Sequence, residues 1–132
     1  MKTVFVNGCF DVLHIGHIRL FKYAKTLGDY LIVALDSDIK IQKSKGSDRP
    51  FNSLNDRIEM LSALKFVNEI RVFSSNEQLE ELVKTISPDF MVVGSDWEGK
   101  NVIGSSHAKE LKFFRRIDGY STTKILQSSV NR

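Results

Sequence analysis

The 132-residue chain is expected to fold as one α/β domain built on a doubly wound parallel sheet. Three observations predict this. Short apolar runs of strand length alternate with amphipathic helical stretches along the chain. One of these runs, residues 30–35 (Tyr-Leu-Ile-Val-Ala-Leu), is apolar throughout, as in a parallel strand covered on both faces. The loops that follow the strands carry Gly, His, Asp, Lys and Ser, and loops in that position form the ligand-binding edge of such sheets.

Residues 3–7 form the first strand, around Val4, Phe5 and Val6. A helix over residues 17–26 follows, with Ile18, Leu20, Phe21 and Ala24 as its apolar face and Gly28 closing it. Residues 30–35 make the second strand. Asn52-Ser53-Leu54-Asn55 opens a second helix that reaches about residue 64, with Ile58, Leu61 and Leu64 at helical spacing. A third strand covers residues 69–73, and a third helix residues 76–86, with Leu79, Leu82, Val83 and Ile86 on one side. Pro88 interrupts the chain, and residues 90–93 make a fourth strand that ends in Gly94-Ser95-Asp96. Ser121-Thr122-Thr123 begins a terminal helix that runs to about residue 130. No repeat, linker or low-complexity tract divides the chain, so residues 1–132 are expected to form a single domain. The expected architecture is Rossmann-like, in three α/β/α layers. Its ligand edge should gather residues 7–17, 36–49, 94–96 and 121–123.

Composition narrows the classes of function. With 42% hydrophobic and 27% charged residues the chain reads as a soluble globular protein. The net charge is +3, and the basic residues cluster at Lys40, Lys43, Lys45 and Arg49 and again at Lys112, Arg115 and Arg116. No aromatic-rich RNA-binding run or recognition-helix pattern accompanies them, so nucleic acid is not an expected partner. Two such clusters beside glycine turns suit a small polyanion, such as a nucleoside triphosphate. The apolar runs are too short to span a bilayer, and no basic-then-apolar leader opens the sequence. No membrane association is expected. A lone cysteine, Cys9, fits a reducing cytoplasm.

The most informative residues are His14 and His17, one turn apart with Gly16 between them, where the first strand gives way to a helix. Helix N-termini offer unpaired N–H groups and a positive dipole end to an anion. Imidazoles there add donors to a phosphate and stabilise charge as it develops. A single histidine is more often structural than catalytic; the pair at a strand-to-helix turn reverses that expectation. Gly8 lets the backbone approach a ligand closely. Asp11 either caps the turn or orients a histidine, and Cys9 reads as a small buried filler. Lys43 and Lys45 have the reach to neutralise a triphosphate. Arg57 either pairs with a Glu or forks onto a phosphate. Ser121, Thr122 and Thr123 make either an ordinary helix cap or a second phosphate cradle. A Walker-type phosphate loop is missing from the sequence, as is any Cys/His metal constellation.

His14-Ile15-Gly16-His17, taken with Ser121-Thr122-Thr123-Lys124-Ile125, resembles the nucleotidyltransferases of the cytidylyltransferase superfamily, in order and over almost the whole chain. The resemblance implies attack of a phosphate monoester on the α-phosphate of a nucleoside triphosphate, with release of pyrophosphate. It implies His14, His17 and Lys45 as catalytic residues. Gly8, Cys9, Phe10, Asp11, His14, His17, Gly94, Asp96, Ser121, Thr122 and Thr123 would form the nucleotide site. Lys43, Lys45, Arg57 and Arg116 would hold the acceptor and phosphates. It also implies a magnesium ion with undefined ligands and a homodimer, with Phe51, Phe66 or Trp97 either at its interface or packed in the core or nucleotide site.

Two acceptors compete. Residues 45–57, with Pro88-Asp89, Gly94-Ser95-Asp96 and Ile103-Gly104-Ser105, look like the adenylyltransferases that act on heptose 1-phosphate. Residues 96–100 and 116–120, Arg116 above all, look like the glycerol-3-phosphate cytidylyltransferases, as does the compact length. The longer continuous match favours ATP and a heptose 1-phosphate-like acceptor. A nucleotide-binding module without turnover is the remaining alternative.

Overall fold

The structure, a computed structural model, describes residues 1–115. The expected terminal helix, with Arg116, Ser121, Thr122 and Thr123, lies outside the described residues. Five strands, β1 (Thr3–Gly8), β2 (Tyr30–Asp36), β3 (Glu69–Phe73), β4 (Phe90–Gly94) and β5 (Glu110–Phe114), form one sheet in the order β3-β2-β1-β4-β5. Every pairing is parallel. Helices α1 (Ile15–Leu27), α2 (Asp38–Lys45), α3 (Leu54–Ser62) and α4 (Asn76–Ile86) connect them. The chain winds outward from β1 to β3, then crosses to β4 on the other side of β1. That reversal opens a crevice at the carboxyl ends of β1 and β4.

Alternation along each strand divides the core in two. Val4, Val6, Leu31, Val33, Leu35 and Val92 pack with Phe21 and Ala24 of α1 and Leu61 of α3. Phe5, Ile32, Ala34, Phe73 and Met91 pack on the opposite face with Leu79 and Val83 of α4. Helices therefore cover both faces of a parallel sheet, in the three α/β/α layers expected.

Two elements exceed the expectation. α2 escapes an apolar-periodicity reading because Ile41 is its one buried residue; it holds through its cap, where the Ser37 side chain accepts the Lys40 N–H. β5 has no buried residue, and its sequence Glu-Leu-Lys-Phe-Phe lacks the apolar run of a central strand. It completes the β4 edge.

Gly28 does close α1, but not through left-handed backbone. Its φ is −161°, open to any residue. What requires glycine is proximity: a Cβ there would lie 2.7 Å from the Lys2 carbonyl oxygen and 2.9 Å from Val4. Gly28→Ala is expected to cost about 1–3 kcal/mol through overpacking, read as a lowered midpoint of urea unfolding. An unchanged midpoint would mean that the chain before β1 yields freely.

Candidate active site

The turn after β1 builds the site from its backbone outward. α1 begins two residues before the expected start, because His14 is its cap. The His14 Nδ1 accepts the Gly16 N–H at 3.1 Å, and the His17 Nδ1 accepts the His14 N–H at 3.2 Å. This is a reciprocal capping box made of two imidazoles. An Nδ1 that accepts a hydrogen bond bears no proton, so in each neutral ring the proton sits on Nε2, the tautomer that donates from the far side of the ring. The rings stack with centroids 3.8 Å apart. Phe10, in left-handed backbone at φ 48°, sets its ring edge-on to His17 at 5.2 Å and to Phe21 at 5.1 Å. Gly8 leaves room for that ring, since a Cβ there would come within 3.1 Å of it. The histidine pair is thus fixed by main chain on one side and an aromatic on the other.

These residues open onto a cleft of about 510 Å³ at the carboxyl edge of the sheet. Of the residues expected at the site, it gathers Gly8, Cys9, Phe10, His14, His17, Lys45 and Gly94. Asp36, Lys40, Asn76, Trp97 and Asn101 also line it. Lys40 holds Asp36 at 3.0 Å and sits 5.4 Å from the Phe73 ring centroid. Sequence reasoning gave Asp36, Lys40 and Asn76 no individual role at the site. The available signal was position, since Asp36 ends β2, Lys40 lies in the first turn of α2 just beyond it, and Asn76 opens α4 just beyond β3. Lys43, Asp96, Asp11 and Arg57 are not among the lining residues. Lys43 and Asp96 are exposed, on α2 and on the single 3-10 turn Ser95–Trp97 respectively.

Asp11 and Arg57 serve the site differently from what was expected. Asp11 is 2% exposed, and its carboxylate accepts the N–H groups of Phe51 and Asn52, each at 2.7 Å, and the Arg49 Nε at 3.3 Å. It anchors a loop rather than capping α1, whose cap is His14. Arg57 is 1% exposed. Its guanidinium donates to the carbonyls of Cys9 (3.0 Å), Asp36 (2.8 Å) and Asn52 (3.2 Å) and pairs with Asp38 at 2.7 Å. The expected phosphate fork is therefore corrected: the planar donor set is spent on main chain and one carboxylate. Arg57 joins the ends of β1 and β2 to the start of α2, and so sets the histidine turn against the helix that carries Lys40 and Lys45. Of the three aromatics considered for an interface, Phe66 packs on the α1–α3 core, whereas Phe51 and Trp97 are exposed.

Cys9 lies beside Lys45 in the cleft. Burial, first, and the Asp36 carboxylate push its thiol pKa up, against the opposing pull of Lys45 and Arg57. A raised pKa means less thiolate at any given pH. Alkylation by iodoacetamide should accordingly run slower than for free cysteine between pH 7 and 9 and still be rising at the upper limit. A rate matching free cysteine across that range would contradict it.

The sequence matches the Cytidylyltransferase-like family over residues 5–128. Among curated relatives, Bifunctional protein HldE of Sulfurimonas denitrificans is 48% identical over 126 residues, 96% of this chain and 26% of that protein. Bifunctional protein HldE of Campylobacter fetus subsp. fetus is 46% identical over 123 residues, 93% of this chain and 27% of that protein. The chain spans about a quarter of the length of these relatives. Among solved structures, the lipopolysaccharide core biosynthesis protein from Thermoplasma volcanium GSS1 superposes with a TM-score of 0.71 at 26% identity, covering 89% of this chain and 99% of that one. Pantoate-beta-alanine ligase from Francisella tularensis shares the fold, with a TM-score of 0.62 at 16% identity, covering 96% of this chain and 65% of that one. With the family match running from β1 past β5 and the histidine turn at the carboxyl edge of the sheet, the chain belongs to the cytidylyltransferase-like family.

Proposed function

We propose that this domain is an adenylyltransferase that joins AMP from ATP to a heptose 1-phosphate and releases pyrophosphate. The observation that carries the reading is the 43–48% identity to HldE proteins over nearly the whole chain. It agrees with the heptose-type resemblance of residues 45–57. The similar Thermoplasma volcanium structure, a lipopolysaccharide core biosynthesis protein, supports the same sugar chemistry.

In this reading an oxygen of the acceptor phosphate attacks the α-phosphorus, and the bond from that phosphorus to the bridging oxygen of the departing pyrophosphate breaks. A phosphate monoester with a second pKa near ~6 is already a dianion at neutral pH, so no general base is required. The work is positioning and charge stabilisation. His14 and His17 donate from Nε2 to the nucleotide phosphates, while Lys40 and Lys45, which line the same cleft, neutralise the acceptor phosphate. Gly94 lines the cleft, and Lys43 and Asp96 keep the phosphate and nucleotide roles implied by the family resemblance. Ser121, Thr122, Thr123 and Arg116 keep the triphosphate and phosphate roles implied by the family resemblance. Among the described residues no group of three or more His, Cys, Asp or Glu side chains stands together to hold a metal. The magnesium ion that the family resemblance implies would come bound to the nucleotide as its counter-ion.

A homodimer in the cytoplasm belongs to the same proposal, supported by the resemblance and by the nucleoside triphosphate substrate. Among the described residues no helix is long and apolar enough to cross a membrane.

Pyrophosphate release measured with ATP and CTP, each against heptose 1-phosphate and glycerol 3-phosphate, tests the reading. ATP with heptose 1-phosphate is expected to give the highest kcat/KM. Turnover confined to CTP and glycerol 3-phosphate would overturn the substrates, and silence with all four pairs would overturn the enzyme.

A further inference from the structure

Beyond the histidine cleft, a second hollow of about 260 Å³ opens between the start of α4 and the segment after β4. Asn76, Glu77, Glu80, Asn101, Ser105 and Ser106 supply its polar wall. It adjoins the main cleft, and Asn76, Asn101, Val102 and Ile103 line both.

The two spaces differ in chemistry. The cleft carries Lys40, Lys45 and the imidazoles, whereas among the described residues no lysine, arginine or histidine lines the hollow. Two carboxylates repel a phosphate but accept hydrogen bonds from hydroxyls, amides both donate and accept, and serines complete the set. Such a lining suits a neutral group dense in hydroxyls.

The outer wall is held in shape. Gly104 has φ +84°, and a Cβ there would lie 2.8 Å from Val83 of α4. Val102 is buried beside Leu79 and Val83 in the core under α4. Ser105 N–H donates to the Val102 carbonyl at 3.1 Å and His107 N–H to Gly104 at 3.0 Å. Glu77 and Glu80, three residues apart on α4, share a helix face toward this wall.

We infer that this hollow receives the polyhydroxylated part of the acceptor while the acceptor's phosphate lies against Lys40 and Lys45, so that Glu77, Glu80 and Asn101 determine acceptor specificity. The inference rests on the transferase reading above and adds where the sugar sits. An acceptor with many hydroxyls gains from the hollow; a three-carbon phosphate has few to offer.

The test is steady-state pyrophosphate release by the full chain, with heptose 1-phosphate or glycerol 3-phosphate varied at saturating nucleotide. The variants are Glu80→Gln, Glu77→Gln and Asn101→Ala, with Glu81→Gln, on the same helix and not among the lining residues, as control. Each hollow variant is expected to raise the KM for heptose 1-phosphate about tenfold, as loss of a hydrogen bond to a charged or polar partner does. The KM for ATP should stay within twofold, and the preference for heptose 1-phosphate over glycerol 3-phosphate should fall by the same factor. Unchanged acceptor KM in all three variants of an active enzyme would overturn the hollow and leave the transferase reading standing. No turnover of heptose 1-phosphate by the unaltered protein would overturn both. Melting temperatures within a few degrees of the parent exclude unfolding as the cause; should Asn101→Ala fail that criterion, Glu77→Gln and Glu80→Gln decide.

Discussion

Replacing His17 with glutamine is expected to lower kcat for nucleotidyl transfer by about 10²–10³-fold and leave the domain folded. The choice of glutamine follows from the double duty of this side chain. Its Nδ1 closes the capping box on the His14 N–H, so His17→Ala would remove a cap, worth about 1 kcal/mol, together with the ring. Glutamine at the same helical position can reach back to that N–H, keeping the cap while deleting the Nε2 donor. His14→Asn makes the matching change at the cap residue itself. If both variants melt close to the parent and turn over at its rate, the imidazoles are caps and nothing more. If both unfold, the capping account of the turn fails.

The second large effect concerns stability. Arg57→Met is expected to destabilise the domain by about 3–5 kcal/mol, measured by urea unfolding. The Asp38 partner is 40% exposed, so water can solvate it and the ion pair contributes the smaller part. Most of the cost comes from the buried Asp36 carbonyl and the part-buried Cys9 carbonyl, which both lose their donor. Arg57→Lys should recover little, since one ammonium cannot reproduce a planar fork aimed at several oxygens. A phosphate-binding arginine would behave in the opposite way. Its removal would relieve an uncompensated charge, leave unfolding unchanged or improved, and appear as a raised acceptor KM.

The contrast between Arg57 and the histidines shows what a sequence can carry. Strands β1, β2 and β4 were legible because burial on both faces leaves a continuous apolar run, and α4 because Leu79 and Val83 recur at helical spacing. The ligand edge was legible because topology places every loop after a parallel strand on one side of the sheet, which brought His14, His17, Gly8 and Gly94 to one cleft. α2 was not legible: with Ile41 alone buried, nothing periodic marks it, and its lysines read as a loop cluster. β5 pairs, among the described residues, with β4 alone and has no buried side chain, so its pattern is no different from that of an exposed segment. Arg57 failed for another reason. Residue type and helical position say that a guanidinium points inward; whether it meets phosphate or carbonyl depends on segments 48 and 21 residues away. The opposite holds for His14, whose cap bond runs to a residue two positions on. Local contacts are written into the sequence, and distant ones are not.

The two buried anchors at Asp11 and Arg57 leave the stretch between them, from Gly46 to Asp48, with little to do. All three residues are exposed, and in the crossing that follows α2 the contacts to Asp11 and Arg57 begin at Arg49. Closing a longer loop costs little, about 0.6 kcal/mol for each doubling of its length. Extra residues at this point would therefore bulge into solvent while Asn52, β1 and β2 kept their registration. The catalytic edge is in this sense insulated: its geometry is indifferent to the contour length of the chain that crosses beside it, so a lineage could lengthen, shorten or decorate that crossing without retuning the chemistry.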